Sequence, residues 1–256
     1  MLTAGIDVGT RNTKVVIVRD DREILGRGAV ITGFNQKTSV EEAFRQALQE
    51  AKTTMDEIES VTATGAGRKD APYASGEITE IGANAKGVLF LIPSARTVLD
   101  VGAEEGRALG CDANGRVKDF AINERCAAGA GTFIETMARV LETSVEEFAQ
   151  LSLKSTKRVP MNAQCAVFAE SEVVSLVHAK TPLEDIARAV HEAIADRIVA
   201  IVRRVGLESD IVLVGGIARN PGFVESLKKT LGSDMLVPEY PEYVTALGAA
   251  LTHNQR

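Results

Sequence analysis

Tryptophan is absent from this 256-residue chain, aromatic residues make up 4%, and histidine and cysteine occur three times each. Proline occurs seven times, and no Pro/Ser-rich linker divides the sequence. With 45% hydrophobic and 25% charged residues, the composition excludes a disordered, collagenous or disulfide-stapled chain. The length is ample for one large domain or two small ones with a buried core. An odd set of cysteines (Cys111, Cys126 and Cys165) is no disulfide framework. It fits a reducing cytoplasm, where thiols are buried bulk, catalytic groups or metal ligands. No apolar run approaches the roughly 18–20 residues of a bilayer span. The longest, Gly87 to Pro93, reads as a core strand or a helix end. The N-terminus lacks a basic region and Asp7 interrupts any apolar stretch, so no secretory signal is read. Basic residues are also short, 29 against 35 acidic ones. The resulting net charge of −6 argues against nucleic-acid binding and a polybasic membrane patch. Small anions remain possible ligands, because backbone amides bind them whatever the global sign.

One pattern occurs twice. Ala4-Gly5-Ile6-Asp7-Val8-Gly9 leads into the apolar run Val15 to Val18, a turn at Asp20-Asp21 and a strand around Ala29 to Ile31. Val98-Leu99-Asp100-Val101-Gly102 repeats the opening, with a turn at Asp112 to Gly115 and a strand from Val117 to Ile122. The Asn, Asp and Gly of these turns are hairpin chemistry. Helices are expected from Ser39 to Ala51, with Ser39 as N-cap and Glu42 completing a capping box, and from Thr132 to Glu142. The strongest helical stripe is Ile186, Val190, Ile194, Ile198, Ile201 and Val205 within Leu183–Val205. A buried strand at Asp210 to Gly216 precedes a helix from Pro221 to Leu231. Alternating strands and helices indicate an α/β fold of two related lobes.

Chemistry points to the glycine-bearing turns: Asp7-Val8-Gly9-Thr10, Asp100-Val101-Gly102, Gly129-Ala130-Gly131 and the Gly215-Gly216 pair. Glycine lets a ligand approach the backbone, and amides at such turns cradle phosphate oxygens. A carboxylate beside them suits Mg²⁺, which keeps most of its waters and takes few protein ligands. Neither a P-loop nor a G-x-G-x-x-G after the first strand is present.

The order of these four features resembles the actin–sugar kinase–Hsp70 ATPase superfamily over essentially the whole chain, ending at Val244 to Leu251. The resemblance implies two RNase H-like lobes, residues 1–94 and 95–256, with the C-terminal helix able to return to the first lobe. It implies ATP or ADP with Mg²⁺, with Asp7 and Asp100 organising metal and phosphates from opposing sides of a cleft. Gly9, Thr10, Arg11, Asn12, Thr13, Gly102, Ala103, Gly129, Ala130 and Gly131 would line the phosphates. Gly215, Gly216 and Asn220 would lie by the adenosine.

Two further stretches, Asn123-Glu124-Arg125-Cys126-Ala127-Ala128-Gly129 and Asn162-Ala163-Gln164-Cys165-Ala166-Val167, place a thiol just before a helix. A helix N-terminus favours the thiolate that binds iron. Read alone, such cysteines are more often buried bulk. Both stretches, however, resemble the ATPase activators of 2-hydroxyacyl-CoA dehydratases and the ATPase subunits of benzoyl-CoA reductases. That resemblance implies that Cys126 and Cys165 from each of two subunits hold one shared [4Fe–4S] cluster. It implies as partners a second copy or a paralogue, the catalytic subunits of a CoA-ester reductase or dehydratase, and a ferredoxin-like donor. Neither nucleic acid nor membrane is among them. Cys111 matches no ligand and reads as structural.

One departure sets this chain apart. After the second turn, activators carry Gly-Gln-Asp-x-Lys, whereas this chain has Ala103-Glu104-Glu105-Gly106-Arg107. The form resembles an ATPase subunit of benzoyl-CoA reductase and favours that branch, with the dehydratase activator as the alternative. Glu104 takes the place of the glutamine, where it would orient the attacking water; the other reading is that both glutamates are solvated loop charges. Thr64-Gly65-Ala66-Gly67-Arg68 is a glycine-rich loop without an assigned role. Two rivals without redox chemistry stand beside this reading, a small-molecule kinase of the same superfamily and a nucleotide-dependent assembly protein.

Overall fold

The computed structural model describes residues 1–123, 130–161 and 166–252, with the backbone alone at 166 and 167. Val15 to Val18 is apolar without alternation because both faces of its strand are covered. Strands β1 (Leu2–Val8), β2 (Asn12–Arg19), β3 (Glu23–Ile31), β4 (Ser60–Thr64) and β5 (Gly76–Glu77) form one sheet in the order β3-β2-β1-β4-β5. β1 pairs antiparallel with β2 and parallel with β4. Helix α1 (Gln36–Ala51) lies on one face, where Ile6, Val8, Val15 and Ile17 meet Val40, Phe44 and Ala47. Helix α2 spans Glu80–Leu91, so the apolar run at Gly87 is a helix end. On the other face Val16 and Val18 meet Ala246, Leu247 and Ala250 of the last helix.

The hairpin turn at Asp20-Asp21 is present, and both residues take the left-handed backbone that Asp tolerates. Helix α1 starts earlier than expected. Asn35, not Ser39, is its N-cap and accepts from the Thr38 N–H. Ser39 is buried in the first turns, where its hydroxyl accepts from Gly33 N and donates to Asn35 O. Asn caps as well as Ser, and Glu42, released from a capping box, pairs with Arg45.

Strands β6 (Thr97–Val101), β7 (Gly106–Cys111), β8 (Val117–Asn123) and β9 (Ile211–Val214) form a second sheet in the order β8-β7-β6-β9. Val212 also bridges Leu236 in parallel, so this sheet repeats the order of the first with a vestige of its fifth strand. Its helices are α3 (Ala130–Val140), α4 (Val145–Lys154), α5 (Ala166–His178), α6 (Leu183–Val205) and α7 (Pro221–Leu231). The α6 stripe packs with Leu99, Val101, Leu213, Phe133, Met137, Phe148 and Phe223 in one core.

Two units divide the chain: Met1–Val98 with Cys111–Lys118 and the residues from Glu242 onward, and Leu99–Gly110 with Asp119–Pro241. The last helix, α8 (Val244–Ala250), belongs to the first unit. It touches α2 backbone to backbone: a Cβ on Gly248 would stand 1.7 Å from Ala83 O, and one on Gly87 2.2 Å from Val244 O. The buried Thr245 hydroxyl donates to Asn84 Oδ1 at 2.8 Å. Among the described residues no helix is long and apolar enough to cross a membrane.

Candidate functional site

Each sheet ends in a carboxylate beside a tight turn. In the first unit β1 runs out at Asp7, buried at 6% exposure, and Gly9 N donates to Asn12 O at 3.2 Å to close the turn into β2. Lys14 Nζ, seven residues on, lies 2.8 Å from Asp7 Oδ2. The end of β4 closes in from the other side. Gly65 has φ of +90°, and a Cβ there would fall 2.5 Å from Val8 O and 2.7 Å from Asp7 Oδ1. Only glycine fits that approach.

The second unit repeats the arrangement. Asp100 is buried at 5% exposure, Gly102 N donates to Glu105 O at 2.9 Å, and Arg107, again seven residues on, places Nη1 3.0 Å from Asp100 Oδ2. Gly215, at φ +92°, would put a Cβ 2.3 Å from Val101 O and 2.8 Å from Asp100 Oδ1. Arg107 also reaches Glu105 through Nη2, so one guanidinium forks to two carboxylates.

The other expected residues that the structure describes have the following surroundings. Thr10 and Arg11 are exposed on the first turn, where Arg11 O accepts from Thr32 N at 3.0 Å, and Asn12 is half-buried. Thr13 is fully buried on the α1 side of β2, with its hydroxyl paired to that of Thr32 at 2.9 Å. Thr13 therefore faces away from Asp7 and Lys14. The start of α3 clasps the second turn: Gly131 N donates to Gly102 O at 3.2 Å and Thr132 N to Ala103 O at 3.1 Å. Ala130, the first residue of α3, is buried. Glu104 is exposed, and its Oε1 accepts from the Thr132 hydroxyl at 2.7 Å. Gly216 follows Gly215 with open space around it. Asn220 caps α7, accepting from Phe223 N at 2.9 Å.

Beneath Asn220 lies His191, fully buried, whose Nδ1 donates to Ala187 O at 2.7 Å. Burial pushes its pKa down to about 4, so the ring is neutral near pH 7. Cys111 is buried and its thiol is pushed up to about 11 by that burial, which keeps it protonated near neutral pH. Cys126, Cys165 and Gly129 lie outside the described residues. The described residues contain no group of three or more His, Cys, Asp or Glu arranged for a metal. A hydrated Mg²⁺ needs no such group, only one or two carboxylates and water partners.

From the sequence, Lys14 has no assigned role, Arg107 stands only within the departure after the second turn, and Thr64 and Gly65 stand only within a glycine-rich loop without an assigned role. The signal for the two cations was there, since Asp-x₆-Lys and Asp-x₆-Arg start from both repeats. That for Gly65 is a glycine just past a β-branched strand, matching Gly215 after β9.

Residues 4–252 match the model of the BadF/BadG/BcrA/BcrD ATPase family. The chain belongs to this family. Among its BadF/BadG/BcrA/BcrD relatives, the activator of lactoyl-CoA dehydratase from Anaerotignum propionicum is 39% identical, over 98% of this chain and 96% of its own length. A benzoyl-CoA reductase component from Thauera aromatica is 32% identical, over 98% of this chain and 92% of its own. The solved activator of the 2-hydroxyisocaproyl-CoA dehydratase from Clostridium difficile, with bound ADPNP, superimposes with a TM-score of 0.92 at 34% identity, over 98% of this chain and 93% of that one. A likeness of fold alone reaches a ROK family glucokinase, at TM-score 0.60 and 13% identity. The fold is thus that of the actin–sugar kinase–Hsp70 ATPases. The benzoyl-CoA reductase branch is not singled out, because the dehydratase activator has the higher identity of the two.

Proposed function

We propose that this chain is an ATP-hydrolysing activator that delivers low-potential single electrons to a 2-hydroxyacyl-CoA dehydratase. The observation that carries this reading is full-length similarity to such activators, led by the 39% identity to the lactoyl-CoA dehydratase activator. A second reading, the ATPase component of a benzoyl-CoA reductase, is favoured by Leu99-Asp100-Val101-Gly102-Ala103-Glu104-Glu105-Gly106-Arg107 in the second turn.

In this proposal Asp7 and Asp100 order the waters of Mg²⁺ and, through them, the nucleotide phosphates. Chemistry of this kind proceeds by positioning and charge stabilisation. Gly9, Thr10, Arg11 and Asn12 offer donors from the first turn; Gly102 and Ala103 do so from the second. The clasp from Gly131 and Thr132 holds that second turn rigid. Thr132 fixes one oxygen of Glu104, and the exposed remainder of that carboxylate orients the attacking water. Gly215 and Gly216 admit the adenosine, and Asn220 stiffens the helix that follows.

Cys126 and Cys165 are assigned to a [4Fe–4S] cluster shared with a second copy or a paralogue, since two thiolates per chain supply half of a four-cysteine shell. In the sequence Cys165 directly precedes α5 and Cys126 stands four residues before α3, and a thiol at the N-terminus of a helix is favoured as thiolate. When bound, the cluster supplies a one-electron reductant. ATP shifts the protein toward the delivering conformation only by binding it better than the resting one.

The test is purification without oxygen followed by iron and sulfide analysis. Bound iron that is lost in Cys126→Ala and Cys165→Ala but kept in Cys111→Ala is expected. An iron-free, colourless protein that phosphorylates a small molecule would replace this reading with the kinase one.

A further inference from the structure

Thr64 is the last residue of β4 and is fully buried, and its hydroxyl has no hydrogen-bond partner among the described residues. Its place makes that orphan informative. Thr64 is directly paired with Asp7 across the parallel β1–β4 register, and Asp7 is paired with Lys14 across β1–β2. Residues opposite each other in a sheet share a face. Lys14, Asp7 and Thr64 therefore form one row over three strands, on the face away from α1. Lys14 takes Asp7 Oδ2, while Gly65, next to Thr64, flanks Oδ1. A buried hydroxyl without a partner is costly, and sheet interiors rarely keep one unless something else supplies the bond.

One other threonine in this sheet, Thr3, shares the orphan condition. It pairs with Ser60 at the far end of β1, with no carboxylate opposite. The second unit offers a further contrast. The residue before Gly215 is Val214, where the first unit has Thr64 before Gly65. The hydroxyl is thus a feature of the first site and not of the shared scaffold.

We infer that Thr64 is a positioning residue of the first phosphate turn, whose hydroxyl bonds a water of the Mg²⁺ that Asp7 holds. This rests on the ATPase reading above. The metal fits the row of residues: Asp7 supplies charge, and Thr64 supplies a partner for a coordinated water. Mg²⁺ retains several waters, and an outer partner that orients one of them sharpens the geometry of the whole shell.

Thr64→Val keeps the shape and removes the hydroxyl; Thr64→Ser keeps the hydroxyl. Thermal unfolding of the full anoxically purified chain is measured without nucleotide, with ADP and Mg²⁺, and with ADP and EDTA, beside Mg²⁺-dependent ATP hydrolysis. Thr64→Val is expected to melt at or above the wild-type temperature without nucleotide, because it removes an unsatisfied group. The Mg²⁺ concentration that half-maximally stabilises the ADP-bound protein should rise roughly ten-fold, as for one lost bond to a charged partner. Stabilisation by ADP in EDTA should stay unchanged, and Thr64→Ser should restore the wild-type Mg²⁺ requirement. An unchanged Mg²⁺ requirement in Thr64→Val overturns the inference. So does an equal loss with ADP in EDTA, which would place the hydroxyl on the nucleotide instead. A wild-type chain that binds Mg²⁺–ADP but never hydrolyses ATP would count against the proposed function, while the Mg²⁺ titration would still decide the role of Thr64.

Discussion

The two sheets carry the same backbone device and different side chains. In both, a first strand ends in a buried aspartate, a tight turn returns the chain, a cation seven residues on pairs with the carboxylate, and a left-handed glycine closes in from the fourth strand. The first unit uses Lys14, a compact point charge, and backs its carboxylate with Thr64. The second uses Arg107, whose planar fork holds Asp100 and Glu105 together, and its equivalent of Thr64 is the apolar Val214. Backbone geometry is what the repeat preserves, because a clash at Gly65 or Gly215 affects the strand ends themselves. The side chains around it differ, Lys14 and Thr64 in the first unit and Arg107 and Val214 in the second.

The largest expected effect is on turnover. Asp7→Ala and Asp100→Ala should each lower Mg²⁺-dependent ATP hydrolysis by about 10²–10³, the usual loss for a preorganised electrostatic contact. Steady-state assays of both variants within a few-fold of wild type would show that the aspartates only brace their turns. Next come the glycines. Gly65→Ala and Gly215→Ala should each destabilise their unit by about 2–5 kcal/mol, from left-handed strain together with overpacking against backbone. Gly216→Ala, with open space around it, is the control and should change little. Denaturant titrations would break the comparison if Gly65 and Gly215 differed widely.

Acid should separate the two units. The folded pKa of His191 lies near 4, below its ordinary value of 6.5. Between these values the unfolded chain binds the proton and the folded one does not, so stability falls as pH drops from 6.5 toward 4, by roughly 3 kcal/mol in all. The Asp185 carboxylate adds to this below the ordinary aspartate range. The Ser155 hydroxyl and the Lys157 and Thr156 N–H groups bond it and hold its pKa down, so its contribution is lost as pH falls through that lowered value. Both groups sit in the second unit. Hydrogen exchange at pH 4.5 should show that unit opening first, and His191→Gln should flatten the dependence. The smallest effect is expected at Arg107. Arg107→Lys should keep one contact to Asp100, lose the half-exposed Glu105, and cost about 1 kcal/mol or less. A double-mutant cycle with Glu105→Ala would measure it.

Much of this was legible without coordinates. The repeat of Asp-Val-Gly predicts two related α/β halves because each copy is followed by the same succession of turn, strand and helix. The α6 stripe and the Pro221 start give helix boundaries that the structure keeps. Helix α1 was misjudged at its start because Asn35 and Ser39 are both good caps, and only the contact of Ser39 with Gly33 decides between them. Sequence proximity groups Thr13 with Thr10, Arg11 and Asn12 but does not reveal which face of a strand a side chain occupies, and Thr13 lies buried on the α1 side.

The sequence by itself determined the local devices: turns, strand and helix stretches, and the charge pattern around each aspartate. Those depend on neighbours within a few residues, so spacing and side-chain chemistry suffice to specify them. Tertiary structure alone decided which distant residues share a site. Gly65 reaches Asp7 only through the parallel pairing of β1 with β4, and Gly215 reaches Asp100 only because β9 lies beside β6. The orphan hydroxyl of Thr64 acquires meaning only from its register with Asp7. Parallel register is set by the packing of both sheet faces against helices far along the chain, and no local pattern encodes it.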